Sequence, residues 1–470
     1  MIFRATISFR TALQVIAVAF VAMLIGVSVP LADSAGDLSL FIGSFIAAAV
    51  VGLLFAMPLR LLPVLTLLVT LLVPNELNAL PHALQGATFG IVPLAVWMIR
   101  EPRSARTPNG LRILASLFSI WLILSAVFAP LHTHRGLEWL VTVGMALVFS
   151  IVSAPAGLKG RDFRGSFLNL TTVLGIYALL EGFILHRNVL FAALFEDTTW
   201  WHSQHYNVSY RVTTLLGHPL VNGLVFSAAA VLSASDLAQK SGRMRVSLLR
   251  FMVLVGATDA THSRGAAVAL AIGVVIVIVF SRGVRRGLGT RRFALAIGLL
   301  VGGALLIYGL KARDESRQGK ASAEVRVTVI NRAKEAVRDL GPLGAGPGES
   351  EAFRHAKQLP GWEVDLENSY AQLAVSLGPI GALLMVTMLL AVVVVGLKNE
   401  QVTGEAAALF TILIDMGTFN TIEGHTNIGI LLALFVIVIV TAPRGAAAAT
   451  VRYLRTEGDP VPRERVAAAC

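Results

Sequence analysis

Two arginines in this chain each stand at the threshold of a helix. Arg264 lies in Thr261-His262-Ser263-Arg264-Gly265, which opens the apolar run 264–281. Ser263 fits an N-cap, and the first turn of a helix carries partial positive charge. Backbone amides, helix dipole and a planar guanidinium then converge on one point, which is the chemistry of a phosphate site. Arg211 lies in Tyr210-Arg211-Val212-Thr213-Thr214-Leu215-Leu216-Gly217-His218-Pro219, where Pro219 suits the first turn of the next helix. Two such arginines suit a diphosphate, whose charge one guanidinium leaves largely uncompensated. An arginine that snorkels to lipid headgroups shows the same pattern, and His218 fits a helix cap equally well. The residue types leave both readings open.

A carboxylate completes the set. Glu367-Asn368-Ser369-Tyr370 closes a long polar segment and opens an apolar run. Glu367 fits a capping carboxylate favoured by the helix dipole, or a general base that takes a proton from an acceptor hydroxyl. Asn368 would orient that base or bind sugar, with Tyr370 beside it as a second candidate. Glu181, Asp415, Glu423 and His425 also fall at or near the ends of apolar runs, where paired structural roles compete with functional ones. No phosphate-binding glycine loop, HExxH or carboxylate pair with metal spacing occurs, so no cofactor or metal is expected. The single cysteine, Cys470, permits no intrachain disulfide.

The elements that must position these residues are membrane helices. Of 470 residues, 55% are hydrophobic and only 14% charged, and mean hydropathy is +0.73. Soluble domains carry about 25% charged residues, so the solvent for this much apolar surface must be lipid. Runs of about twenty apolar residues, the length that crosses a hydrocarbon core, recur along the chain. The reading is an all-α integral membrane bundle of about fourteen spans with one large extracytoplasmic loop. The run 12–31 is taken as the first helix and not as a cleaved leader. Residues 1–310 hold the first eleven helices, 311–368 the loop, 369–441 the last three helices and 442–470 a cytoplasmic tail. The net charge of +11 does not point to nucleic acid, because most of the 39 basic residues fall in short connections on one side. That bias places both termini in the cytoplasm and the arginine motifs outside. Spans 61–74, 246–258 and 405–417 are short for a bilayer, and such helices need protein or a water-filled cavity around their ends. The expectation is a polar cavity on the outer side, walled by these ends and by the segments 186–217 and 311–367. Within the latter, 322–340 has helical character and the PLGAGPG stretch at 342–348 breaks it.

Taken in order, these segments resemble the O-antigen ligase and polymerase family of bacterial surface polysaccharide assembly. The matching pieces run from Arg211 through the Gly-His-Pro turn to Asn222, then Thr261 to Gly265, then Asn331-Arg332 and Pro342 to Gly348. They end with Glu367-Asn368-Ser369-Tyr370 and Leu377-Gly378-Pro379-Ile380-Gly381. The resemblance covers about 211–397. It implies a GT-C-type, metal-independent, inverting glycosyltransferase of the bacterial cytoplasmic membrane. Its donor would be an undecaprenyl-pyrophosphate-linked oligosaccharide and its acceptor a glycan. It also implies that arginines hold the pyrophosphate: Arg211 and Arg264 here, with Arg326 or Arg332 as loop candidates and His218 and Ser263 beside them. Family ligases often carry His before the Asn of the late motif; this chain has Glu367, which favours polymerase over ligase. A transporter or flippase for lipid-linked sugars is the competing class. It would need access from both faces or a repeated half, and the candidate residues gather at one face without an internal repeat.

Overall fold

The computed structural model describes residues 49–73, 86–101, 104, 107–155, 160–190, 210–239, 244–281, 317–357, 366 and 368–443. Helices build the architecture, with no strand among the described residues. The first three are α1 (Ala49–Ala56), α2 (Leu62–Leu72) and α3 (Gly86–Arg100). Then come α4 (Asn109–Phe128), α5 (His134–Val152) and α6 (Gly160–Leu180), which continues as a π-helical turn over Glu181–Leu185. The next three are α7 (Pro219–Gln239), α8 (Met244–Ala260) and α9 (Arg264–Phe280). The polar segment folds as α10 (Arg317–Leu340) and α11 (Ser350–Lys357). The last four are α12 (Ser369–Ser376), α13 (Gly378–Leu397), α14 (Thr403–Met416) and α15 (Asn427–Thr441).

Five described helices are long and apolar enough to cross a membrane: α4, α5, α6 with its π turn, α7 and α13, with α1 and α2 as a sixth if that bent pair is one span. The spans expected at 12–31 and 293–310, and the tail from 444 on, lie outside the described residues. Helix α4 shows why lipid is the solvent. Leu111, Ala115, Phe118, Leu122 and Ser125 form a buried stripe, while Ile113, Leu117, Ile120, Val127 and Phe128 are exposed on the other side. Both faces are apolar, one packed on protein and one turned outward, as a membrane helix requires. Helices α6, α9 and α13 repeat this with exposed Ile176, Val275 and Leu383. All fifteen residues of α15 are buried, so it runs through the middle of the bundle.

Side-chain bonds mark the two ends of the bundle. At one end Arg164 of α6 is held by Glu405 of α14 and Asp236 of α7: Nε to Glu405 Oε1 at 2.8 Å and a terminal nitrogen to Asp236 Oδ1 at 2.8 Å. Only 8% of Arg164 is exposed, so three charges are satisfied inside the bundle. The other end carries the beginnings of α7, α9 and α15 and the end of α14.

One expected element is divided, and two expected spans meet at a sharp bend. The run 370–397 is not one span: α12 ends at Ser376 and α13 starts at Gly378, whose φ is +69°. A side chain at Gly378 would overlap the Pro342 carbonyl. That carbonyl belongs to the glycine-rich bend, whose Ala345 and Gly346 amides donate to Val375 O (2.8 Å) and Ser376 O (2.9 Å). The bend therefore braces the α12–α13 junction. Runs 38–57 and 61–74 meet as Ala49–Ala56 and Leu59–Leu72, bent by 110° around Pro58. Arg100 holds the bend by donating to Met57 O (2.6 Å) and Leu54 O (3.2 Å). The amphipathic α10 packs Ala333, Ala336, Val337 and Leu340 against Leu366, Ala371 and Val375.

Candidate functional site

Arg211 and Arg264 meet at one corner of the bundle. The segment 210–217 runs beside the turn between α8 and α9: the Val212 amide donates to Ala260 O at 3.4 Å. Arg211 Nε donates to Thr261 O at 3.0 Å, three residues ahead of Arg264. Ser263 caps α9, its Oγ accepting from the Ala266 amide at 3.3 Å, so Arg264 sits in the first turn with the helix dipole behind it. Both arginines are half-buried.

Glu181 fixes the segment that carries Arg211. It is fully buried at the end of α6. Its carboxylate accepts from the Thr213 amide (2.8 Å), Thr213 Oγ1 (3.2 Å), the Thr214 amide (3.1 Å) and the Tyr210 hydroxyl (2.7 Å). Asn188 adds bonds to Thr213 Oγ1 at 2.8 Å and Thr214 O at 2.6 Å. From α7, the Asn222 Nδ2 donates to Thr213 O and His218 O, and its Oδ1 accepts from Thr214 Oγ1 at 2.6 Å. The backbone between the two arginine motifs is thus held from three sides.

The end of α14 closes the corner. A side chain on Gly265 would overlap Thr418 and meet Asp415 Oδ1, so α9 begins against these two residues. Thr418 Oγ1 donates to Asp415 Oδ1 at 2.9 Å, and Asp415 is fully buried. Asn368 caps α12, accepting from the Tyr370 and Ala371 amides at 3.0 Å each, and its Nδ2 donates to Gly417 O at 2.7 Å. The Tyr370 hydroxyl donates to Leu413 O. Both ends of the Asn368 amide are therefore engaged with protein, and it ties the late motif to the end of α14. Glu367 lies outside the described residues, between buried Leu366 and Asn368.

The imidazole of His218 stacks on Phe419 (ring centroids 6.2 Å apart, 12° between planes) and lies 5.0 Å from the His425 ring. Its Nδ1 accepts from the Leu220 amide at 3.3 Å, so it also caps α7. Burial lowers His425 to about 4 and leaves it neutral. Nearby Glu423 receives Ser350 of α11 and Ser376 of α12, and burial pushes its carboxyl up to about 7 against the pull of those bonds.

The loop candidates lie on α10. Arg332 pairs with Glu335 at 3.0 Å on the surface of α10, one helical turn away. Arg326 is on the same helix, its side chain outside the described residues. Two contributors go beyond the sequence candidates, Asn222 as a clamp and Phe419 under His218, while Glu181, a candidate at the end of its apolar run, serves as an anchor. For Glu181 a signal existed, since a carboxylate inside an apolar run demands partners. The contacts of Asn222 and Phe419 depend on packing alone.

Comparison with known proteins agrees with this set of motifs. Residues 249–386 match a family model described as O-antigen ligase. No curated protein matches the chain. The matched stretch runs from α8 into α13 and includes Ser263, Arg264, Glu367, Asn368 and Tyr370; Arg211 and His218 precede it. Over residues 249–386 the chain is therefore similar to the O-antigen ligase family, within the ligase and polymerase group that its motifs resemble.

Proposed function

We propose that this chain is a membrane glycosyltransferase that extends glycan chains on the extracytoplasmic face, using an undecaprenyl-pyrophosphate-linked donor. The observation that carries the reading is the bond from Arg211 to the turn that opens α9, which brings two guanidinium-bearing segments to one corner. The starts of α7 and α9 add amide donors and positive dipole ends there. The donor enters sideways from the outer leaflet, its diphosphate facing Arg211 and Arg264. Glu367 takes the proton of the acceptor hydroxyl, and that oxygen attacks the anomeric carbon in line. The bond from that carbon to the phosphate oxygen breaks, and the lipid diphosphate leaves with the electron pair. Inversion results. The arginines neutralise charge that grows on the leaving group, so they lower the barrier without a resident metal.

Support for Glu367 comes from its neighbour. Asn368 bonds Gly417, the next residue is Thr418, and Thr418 packs on Gly265 beside Arg264. The backbone next to Glu367 is therefore linked to the arginine corner through consecutive contacts. The place of Glu367, where family ligases carry His, favours polymerisation of repeat units over transfer to a lipid acceptor.

The test is a defined membrane assay with lipid-linked repeat units. Arg264→Ala should lower chain lengthening by about 10²–10³-fold, the range for removing a donor aimed at developing negative charge. Arg264→Lys should recover only part, because a lysine lacks the planar fork. Full activity in both variants removes the diphosphate role. Glu367→Gln with unchanged turnover removes the base. Cells without the protein should accumulate single repeat units on the carrier; accumulation of long carrier-linked chains would assign ligase instead.

A further inference from the structure

A second built site lies at the opposite end of the bundle. A cavity of about 230 Å³ is lined by Arg60, Glu101, Asp162 and Ser166, with Trp97 and Phe163 prominent in its apolar wall. Its position follows from α6: Glu181 marks the arginine corner, and Asp162 lies nineteen residues earlier, about 28 Å away along a helix. Under the proposed orientation this is the cytoplasmic edge of the hydrocarbon. The 110° bend between α1 and α2 presents Arg60, and Arg100 clamps that bend. Arg60 forms no ion pair with Glu101 or Asp162. The cavity thus offers a guanidinium and two carboxylates at its mouth and buried Trp97, Leu67 and Phe163 at its base.

We propose that this cavity binds the headgroup of a zwitterionic phospholipid with a primary ammonium, of the phosphatidylethanolamine class. Arg60 meets the phosphate, and Glu101 and Asp162 receive the ammonium N–H groups. The glycerol and first acyl carbons lie along Val64, Leu67 and Trp97. Charge selects this occupant. Among the described lining residues an anionic headgroup would face two carboxylates with one cation, whereas a zwitterion matches both signs at once. A quaternary ammonium carries no N–H for the carboxylates and fits less well.

The test uses the full-length protein, stripped of lipid in a mild detergent and examined by native mass spectrometry. Phosphatidylethanolamine, phosphatidylcholine and phosphatidylglycerol are added separately. Retention of phosphatidylethanolamine at concentrations at least fivefold below the other two is expected. Glu101→Gln together with Asp162→Asn should abolish that preference, and Arg60→Gln should weaken retention at least fivefold. Equal retention of the three lipids, or a preference unchanged in the variants, overturns the proposal. A diazirine-bearing phosphatidylethanolamine applied to the unmodified protein gives a check that needs no variant. Cross-links within 59–67, 97–101 or 162–166 support the site, and their absence there refutes it. Free phosphoethanolamine that displaces the lipid at millimolar concentration would mean a soluble zwitterion, not a lipid, is the ligand.

Discussion

The arginine corner depends on a residue that touches no substrate in the proposed mechanism. Glu181 gathers four donors from the 210–214 segment, and that segment carries Arg211. Replacing it with Gln puts an N–H group against the Thr214 amide, two donors facing each other. Glu181→Gln should lower kcat/KM about tenfold and cost about 1–3 kcal/mol of stability, the usual penalty for unsatisfied buried donors. Thermal unfolding together with turnover would check both, and Arg211→Lys should lose activity without the loss of stability. Glu423 and His425 make a paired prediction in pH. The proton of Glu423 is retained in the folded state up to about pH 7, so its contribution falls as pH rises from about 4.5 to 7. His425 stays neutral down to about 4, so its contribution rises with pH from about 4 to 6.5. The two slopes oppose each other between about 4.5 and 6.5. Relative to the parent protein, Glu423→Gln should make the unfolding midpoint climb over that window, and His425→Asn should make it fall. Parallel profiles for all three proteins would refute the assignment.

Among the elements, the glycine-rich bend has the sharpest requirement. Gly341, Gly344, Gly346 and Gly348 all have positive φ, and the bend packs its carbonyls and amides onto the α12–α13 junction. Gly344 and Gly378 approach so closely that neither position has space for a Cβ. Gly378→Ala therefore meets both strain and overlap, and should destabilise the protein by at least about 2 kcal/mol. Because α12 carries Asn368 and Tyr370, the variant should also lose activity before it unfolds, measured as turnover at temperatures below its own midpoint. Gly341 has open space around it, so Gly341→Ala faces strain alone and should cost less. The order of the two costs checks the argument.

Across the whole molecule, the Arg164–Glu405–Asp236 cluster ties α6, α14 and α7 at the end away from the arginine corner. Its members sit among apolar helices, where one charge left alone is expensive. Arg164→Leu should cost about 3–5 kcal/mol by stranding two carboxylates, while apolar replacement of all three should recover most of that loss. Unfolding midpoints of the single and triple variants, read in the same detergent, test this. The same helices set the geometry of the far end, so the single variant should also reduce glycan transfer, and the triple variant should restore it.

The sequence by itself determined the solvent and the chemical vocabulary. Low charge, apolar runs and the spread of basic residues require a membrane bundle, and the N-cap serine, the proline at a helix start and the asparagine before α12 are local signals that a helix terminus enforces. Only the tertiary structure decided which termini share a corner. That Arg211 bonds Thr261, that Gly265 packs on Thr418, and that Glu181 anchors 210–214 are contacts between residues 29 to 153 apart in the chain, and no periodicity encodes them. The break at Gly378 was hidden for the same reason. An apolar run looks continuous until a distant carbonyl, here that of Pro342, occupies the space a side chain would need.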